Sequence, residues 1–268
     1  MKNIDNNEIL LSFVYLILIL IFGWIIKSRY QNKIPDYKYF VSGLLFKLFG
    51  VLAFCVVYLY YYEGGDTLNY FKGAKAIANL LLYDFDKGIH VLFNTDSPYN
   101  GWHVYNSTTG YPAHYMWKDP NTFSVSRYTS IFVLIGNGSF LVSSFLTACF
   151  SYIGIWKLYR LFNNLYPGNS RPFAYLILFL PTLLFWGSGI MKDSYVLGAT
   201  CWITYNFHQV FIERKKVFWN IIFLVLNLSI IMNTKAYVIM SLLPGMLLWV
   251  NSAYLKNTKG IPAYKCSA

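Results

Sequence analysis

The chain has 268 residues and a formal net charge of +11. Apolar residues make up 56% of it, aromatics 20% and charged residues only 12%, about half the roughly 25% of a soluble globular domain. The basic excess is scattered between apolar stretches, and its longest run is Arg214-Lys215-Lys216. No nucleic-acid partner is expected from that distribution; a polytopic membrane protein is.

A helix needs about 20 apolar residues to cross the hydrocarbon core. On that measure the chain reads as an all-α, polytopic transmembrane helix bundle of about seven spans, forming one domain over 1–268. The spans fall at about 9–26, 44–62, 140–161, 172–190, 195–211, 218–232 and 236–250. The first follows an acidic start (Asp5, Glu8) and has no small-residue cleavage site, so it is expected to be retained. Alternate loops hold Lys27, Arg29, Lys33, Lys38 and Lys47, then Lys157, Arg160 and Arg171, then Arg214, Lys215 and Lys216, then Lys256, Lys259 and Lys265. Those loops carry only Asp36 and Glu213 as acids. Because cytoplasmic loops are rich in Lys and Arg, the N-terminus is expected outside, with the C-terminus in the cytoplasm.

One large external loop, about 63–128, separates spans two and three. It opens Glu63-Gly64-Gly65-Asp66-Thr67-Leu68-Asn69-Tyr70. A helical apolar period follows, with Tyr70, Ala74, Ile77 and Leu81 in one line and Phe71, Ala78 and Leu82 beside it. Lys72, Lys75 and Asn79 take the other face, so the spacing predicts an amphipathic helix lying in the headgroup region. From Asp96 to Asn121 the loop is rich in Asn, Ser, Tyr and Trp and is expected to pack as an ordered cover.

The polar groups of chemical interest share the expected external side. Asp66 follows a Gly-Gly pair that permits a sharp turn; Asp66 or Thr67 capping the next helix is the competing account. Lys192-Asp193 follows Gly187-Ser188-Gly189 at the end of span four. A snorkelling lysine and a capping aspartate explain that pair equally simply. Lys235 lies in the short turn before Ala236-Tyr237 and runs against the positive-inside tendency, which suggests an anionic partner. Arg127 completes a basic lining suited to phosphate. His90, His103 and His114 lie in the loop near Asp96 and Asp119 without zinc-ligand spacing, and His208 lies in span five. Cys55, Cys149, Cys201 and Cys266 form no CxxC pair.

Gly-Gly-Asp-Thr-Leu-Asn-Tyr at 64–70 and Pro-Thr-Leu-Leu-Phe-Trp-Gly-Ser-Gly-Ile-Met-Lys-Asp at 181–193 resemble multi-spanning bacterial glycosyltransferases of the GT-C type. The resemblance covers most of 44–250. It implies a sugar transferred from a polyprenyl-phosphate carrier to an acceptor on the external side of the bacterial inner membrane. Asp66 would then be the catalytic general base. Lys192, Lys235 and Arg127 would stabilise the leaving phosphate, and Tyr237 would join them in binding substrate. Asp193 would position the acceptor or hold a divalent cation, Mg or Mn; no metal bound by protein ligands alone is expected. A lipid-linked sugar donor and membrane lipids are the implied partners. The family's loop normally follows the first span, whereas here a further span precedes it. The family also usually continues past the seventh span, so a truncated or minimal form is expected. A surface-polysaccharide polymerase, a non-catalytic membrane subunit and a transporter remain as alternatives.

Overall fold

The computed structural model describes residues 6–93 and 102–258; Asp5, Asp96, Lys259, Lys265 and Cys266 lie outside the described residues. Among the described residues the chain is helical throughout: α1 (Asn6–Gln31), α2 (Phe40–Val56), α3 (Asp66–Tyr83), α4 (Phe85–Phe93), α5 (Pro120–Ile135), α6 (Phe140–Leu165), α7 (Ser170–Phe173), α8 (Pro181–Trp186), α9 (Lys192–Phe211), α10 (Val217–Lys235) and α11 (Tyr237–Thr258). Short 3₁₀ turns cover 35–39 and 114–118, and π-helical turns extend α2 over 57–61 and α7 over 174–178. Five helical stretches are long and apolar enough to cross a membrane: Asn6–Gln31, Pro35–Tyr61, Phe140–Leu165, Val217–Lys235 and Tyr237–Leu255. The protein is therefore an integral membrane protein.

Two of the seven expected spans are not among these five stretches. Residues 172–190 do not make one helix. Pro181, with its fixed φ and no N–H, cannot continue the preceding turn; it starts the short α8, and the chain then turns through 187–191. Residues 195–211 do lie in one long helix, α9, but it carries Ser194, Asn206 and His208 and is buried between α6 and α10. Its neighbours, rather than lipid, cover those polar groups.

The expected loop is mostly helical as well. Gly65 (φ 99°) makes the turn into α3, a conformation open to glycine at little cost. The apolar face of α3 is wider than its period suggested: Gly73, Ala76 and Leu80 are buried with Tyr70, Phe71, Ala74 and Ile77. Protein covers that face, since α3 packs on α5 and α4; Leu82, expected on it, is exposed. In the 102–118 segment Trp102, Tyr111 and Trp117 pack together, and His114 stacks on Trp117 at 5.7 Å.

Helices in lipid gain nothing by hiding apolar surface from one another, so close packing and hydrogen bonds must join them. Gly198 comes so close to α6 that a Cβ there would meet Ser151 Cα at 2.9 Å, and a Cβ on Gly154 would collide with the Gly198 carbonyl. The buried Tyr195 hydroxyl is 2.8 Å from Thr129 and 3.4 Å from Thr147, linking α9 to α5 and α6. The carboxylate of Glu8 on α1 accepts from the Phe140 N–H (2.8 Å) and from the hydroxyl of Ser139, the N-cap of α6 (3.1 Å). A carboxylate is favoured there because free N–H groups and the positive end of the helix dipole face it.

Lys47 is not the loop lysine that its place in the sequence suggests: it lies within α2 and is 0% exposed. Its ammonium donates to the Gly187 carbonyl at 2.5 Å. Lys47 is thus an internal tie to the broken α7–α8 element, and it drops out of the charge asymmetry that orients the chain.

Candidate functional site

Three helix starts and one helix end place ionisable side chains at the same end of the bundle. Asp66 opens α3, Asp119 caps α5, Lys192 and Asp193 open α9, and Lys235 closes α10. Lys235 Nζ donates to Asp193 Oδ1 at 2.6 Å, with Tyr237 beside the same ammonium. Lys192 Nζ donates to Thr122 Oγ1 at 2.7 Å and lies 3.4 Å from Asp119 Oδ2. The lysine side chains are 22–25% exposed and their carboxylate partners about half exposed (46% and 49%). Both pairs are therefore open to solvent and to a ligand.

The N-cap residues of α3 and α9, Gly65 and Met191, make no side-chain cap hydrogen bond, and Asp66 and Asp193 stand in the first turns of these helices. Asp66 is exposed and accepts from the Tyr115 hydroxyl at 3.3 Å, while Thr67 Oγ1 is buried without a hydrogen-bond partner. Asp119 is the aspartate that caps: it accepts from the Asn121 N–H at 3.0 Å and from the Thr122 hydroxyl. Its desolvation favours the neutral acid, but the hydrogen bonds from Thr122 and the Lys192 ammonium outweigh this and hold the carboxyl below its ordinary value.

Tyr70 lies in the middle of this group. Burial raises its phenol well above the usual tyrosine range, and the charges of Asp66, Asp119 and Asp193 raise it further. Tyr115 moves the same way, through burial first and then Asp66. Two neutral phenols therefore stand among three carboxylates as fixed hydrogen-bonding groups. In the sequence Tyr70 reads only as part of an apolar stripe, and nothing there assigns a role to Tyr115, Thr122 or Asp119. All four lie in the 63–128 loop, and Tyr115, Asp119 and Thr122 fall where no apolar period marks them. The capping pattern Asp119-Pro120-Asn121-Thr122 was the available signal.

The remaining candidate, Arg127, faces elsewhere. It is 7% exposed; its Nε donates to the Val91 carbonyl at 2.9 Å, and its guanidinium lies 4.9 Å over the Phe123 ring. It lines a separate cavity of about 540 Å³ between α4, α5, α6, α9 and α10. The expected basic lining is thus Lys192 and Lys235 alone.

No group of three His, Cys, Asp or Glu side chains that could hold a metal ion occurs among the described residues. The carboxylates fit a divalent cation only in the manner of Mg²⁺, which commonly takes one or two protein carboxylates and completes its shell with substrate phosphate and water. Comparison with known proteins found no matching family model, curated protein or solved structure.

Proposed function

We propose that this chain is a membrane glycosyltransferase of the GT-C type. It moves a sugar from a polyprenyl-phosphate-linked donor to an acceptor hydroxyl on the external face of the bacterial inner membrane, with the Asp66 end of the bundle facing outward and the N-terminus outside. The observation that carries the reading is the gathering of Asp66, Asp193, Lys192 and Lys235 at one end, with Asp66 exposed and spared from capping.

In this scheme Asp66 accepts the proton of the acceptor hydroxyl as its oxygen attacks the anomeric carbon. The bond from that carbon to the phosphate oxygen breaks, and the phosphate leaves with the electron pair. Lys235 and Lys192 face the charge that develops on it. Because Asp193 and Asp119 already hold these lysines, the donor phosphate enters by sharing or displacing a carboxylate, or through a divalent ion bridging it to Asp193. Tyr237 sits where it can orient the phosphate beside Lys235. A repeat-unit polymerase would use the same groups on a longer acceptor.

The test uses sealed vesicles with purified protein and a polyprenyl-phosphate sugar carrying a labelled sugar. Asp66→Asn keeps the size of the side chain and removes its basicity. Transfer is expected to fall at least about a hundredfold with donor binding retained. Near-wild-type transfer by this variant would end the catalytic assignment.

One observation favours a transport reading instead. Fully buried Lys47 holds the Gly187 carbonyl beside a broken helix, and discontinuous helices with internal polar groups are typical of transporter sites. Uptake of the lipid-free sugar phosphate into the same vesicles, with no transfer product, would replace the first reading by this one.

A further inference from the structure

The cavity beside Arg127 belongs to the flank of the bundle. Its walls include Phe150, Ile153, Trp202, Phe223 and Leu226, of which Ile153, Phe223 and Leu226 are 41–54% exposed. It is therefore a groove open sideways. Arg127, Ser124, Tyr128 and Asn233 gather toward one end, the last two joined by a hydrogen bond, and Asn227 and Ser229 are the further polar residues along the α10 wall. The other end, at Trp202 and Phe223, is aromatic, and these two rings stack at 5.3 Å. From Asn233 to Phe223 the groove follows ten residues of α10, or about 15 Å at the rise of an α-helix. That is half of a hydrocarbon core about 30 Å thick, the depth reached by one chain of one leaflet. The volume, about 540 Å³, falls inside the roughly 300–1,000 Å³ of ordinary ligand sites.

We infer that this groove is a binding site for an anionic glycerophospholipid of the surrounding bilayer, one acyl chain lying along α10 and the phosphate held at Arg127. Charge and shape argue together. A guanidinium in an apolar wall recognises phosphate through directed N–H groups. Below it, the groove offers one leaflet's length of mainly apolar wall, interrupted by Asn227 and Ser229, which suits an acyl chain and is too short for a long polyprenyl tail. The inference does not depend on sugar transfer, since Arg127 donates to the Val91 carbonyl and lies over Phe123, while the ion pairs of Asp119 and Asp193 are with Lys192 and Lys235.

The test is photolabelling of the full chain in phosphatidylcholine vesicles. The probe is a phosphatidylglycerol with a photoreactive group on one acyl chain; the control carries the same chain under a choline head. Labelled peptides are expected to contain Phe223–Asn233 and Phe150–Ile153, with labelling several-fold stronger for the glycerol head. Leu226→Trp fills the groove and is expected to abolish that labelling; Ser229→Phe does the same from an adjacent position if the first variant folds poorly. Arg127→Gln is expected to leave the labelled peptides unchanged but erase the preference for the anionic head. Equal labelling by both probes, labelling spread over α1 and α11, persistence in both filled variants, or displacement by a polyprenyl phosphate but not by phosphatidylglycerol would each overturn the inference.

Discussion

Lys47 and Lys235 both lie in helices apolar enough to cross a membrane, yet they end in opposite surroundings. Lys47 is sealed inside the bundle and bound to a carbonyl, which brings no compensating charge. Lys235 sits at a helix end, a quarter exposed, against the carboxylate of Asp193. The contrast separates stability from function. A donor sealed in a low-dielectric interior is costly to disturb because its partner has no alternative. A half-open ion pair contributes little to stability because water and salt screen it, and for the same reason it can exchange one partner for another.

The largest effect is expected at Lys47. Lys47→Ala strands the Gly187 carbonyl and empties the space of the side chain, and should lower unfolding free energy by at least about 1–3 kcal/mol. Lys47→Met refills the space and should recover part of the loss. A Lys47→Ala protein as stable as wild type, measured by reversible unfolding in detergent, would erase the distinction between the two lysines.

At the other end a double-mutant cycle of Asp193→Ala and Lys235→Ala should give a coupling below about 1 kcal/mol. A coupling of several kcal/mol would mean the pair is a structural lock rather than an exchangeable contact.

The smallest expected effect concerns acidity at Asp119. Its folded pKa lies below the unfolded value, so the carboxylate stabilises the fold above about pH 3.9, and this contribution disappears as pH falls through the lower folded value. Wild type should lose thermal stability across that acid window, and Asp119→Asn should lose less. Parallel pH profiles for the two proteins would show that the Thr122 and Lys192 contacts contribute nothing measurable.

Hydropathy alone located the five helical stretches apolar enough to cross the membrane, because length and apolarity are what a bilayer requires of them. It misjudged 172–190, where Pro181 and the glycines at 187 and 189 break an apolar run that still scores well residue by residue. Lys47 misled for a related reason: one cation near the end of an apolar stretch reads as an interfacial anchor, and only the neighbouring helices show that it is enclosed. The pairing of Asp193 with Lys235 could be approached because both belong to ends on one side. Tyr70 and Asp119 could not, since an apolar stripe and a capping turn give no hint of which carboxylates or ammonium groups will surround them. Arg127 shows the opposite failure, a cation close to the site in sequence order whose helix turns it toward α4.

The bond between Glu8 and the start of α6 has a consequence for biogenesis. The chain is made from its N-terminus, so Glu8 enters the membrane more than 130 residues before Phe140 exists. During that interval α1 has α2 to pack on, through the close approach of Gly23 to Leu44, although few of its residues are buried even in the finished protein. Its docking is therefore completed in stages, on α2 first and on α6 once the start of that helix arrives. A ribosome stalled just short of residue 140 would thus leave α1 held without its Glu8 bond, while one stalled well beyond it would find Glu8 already bonded to α6.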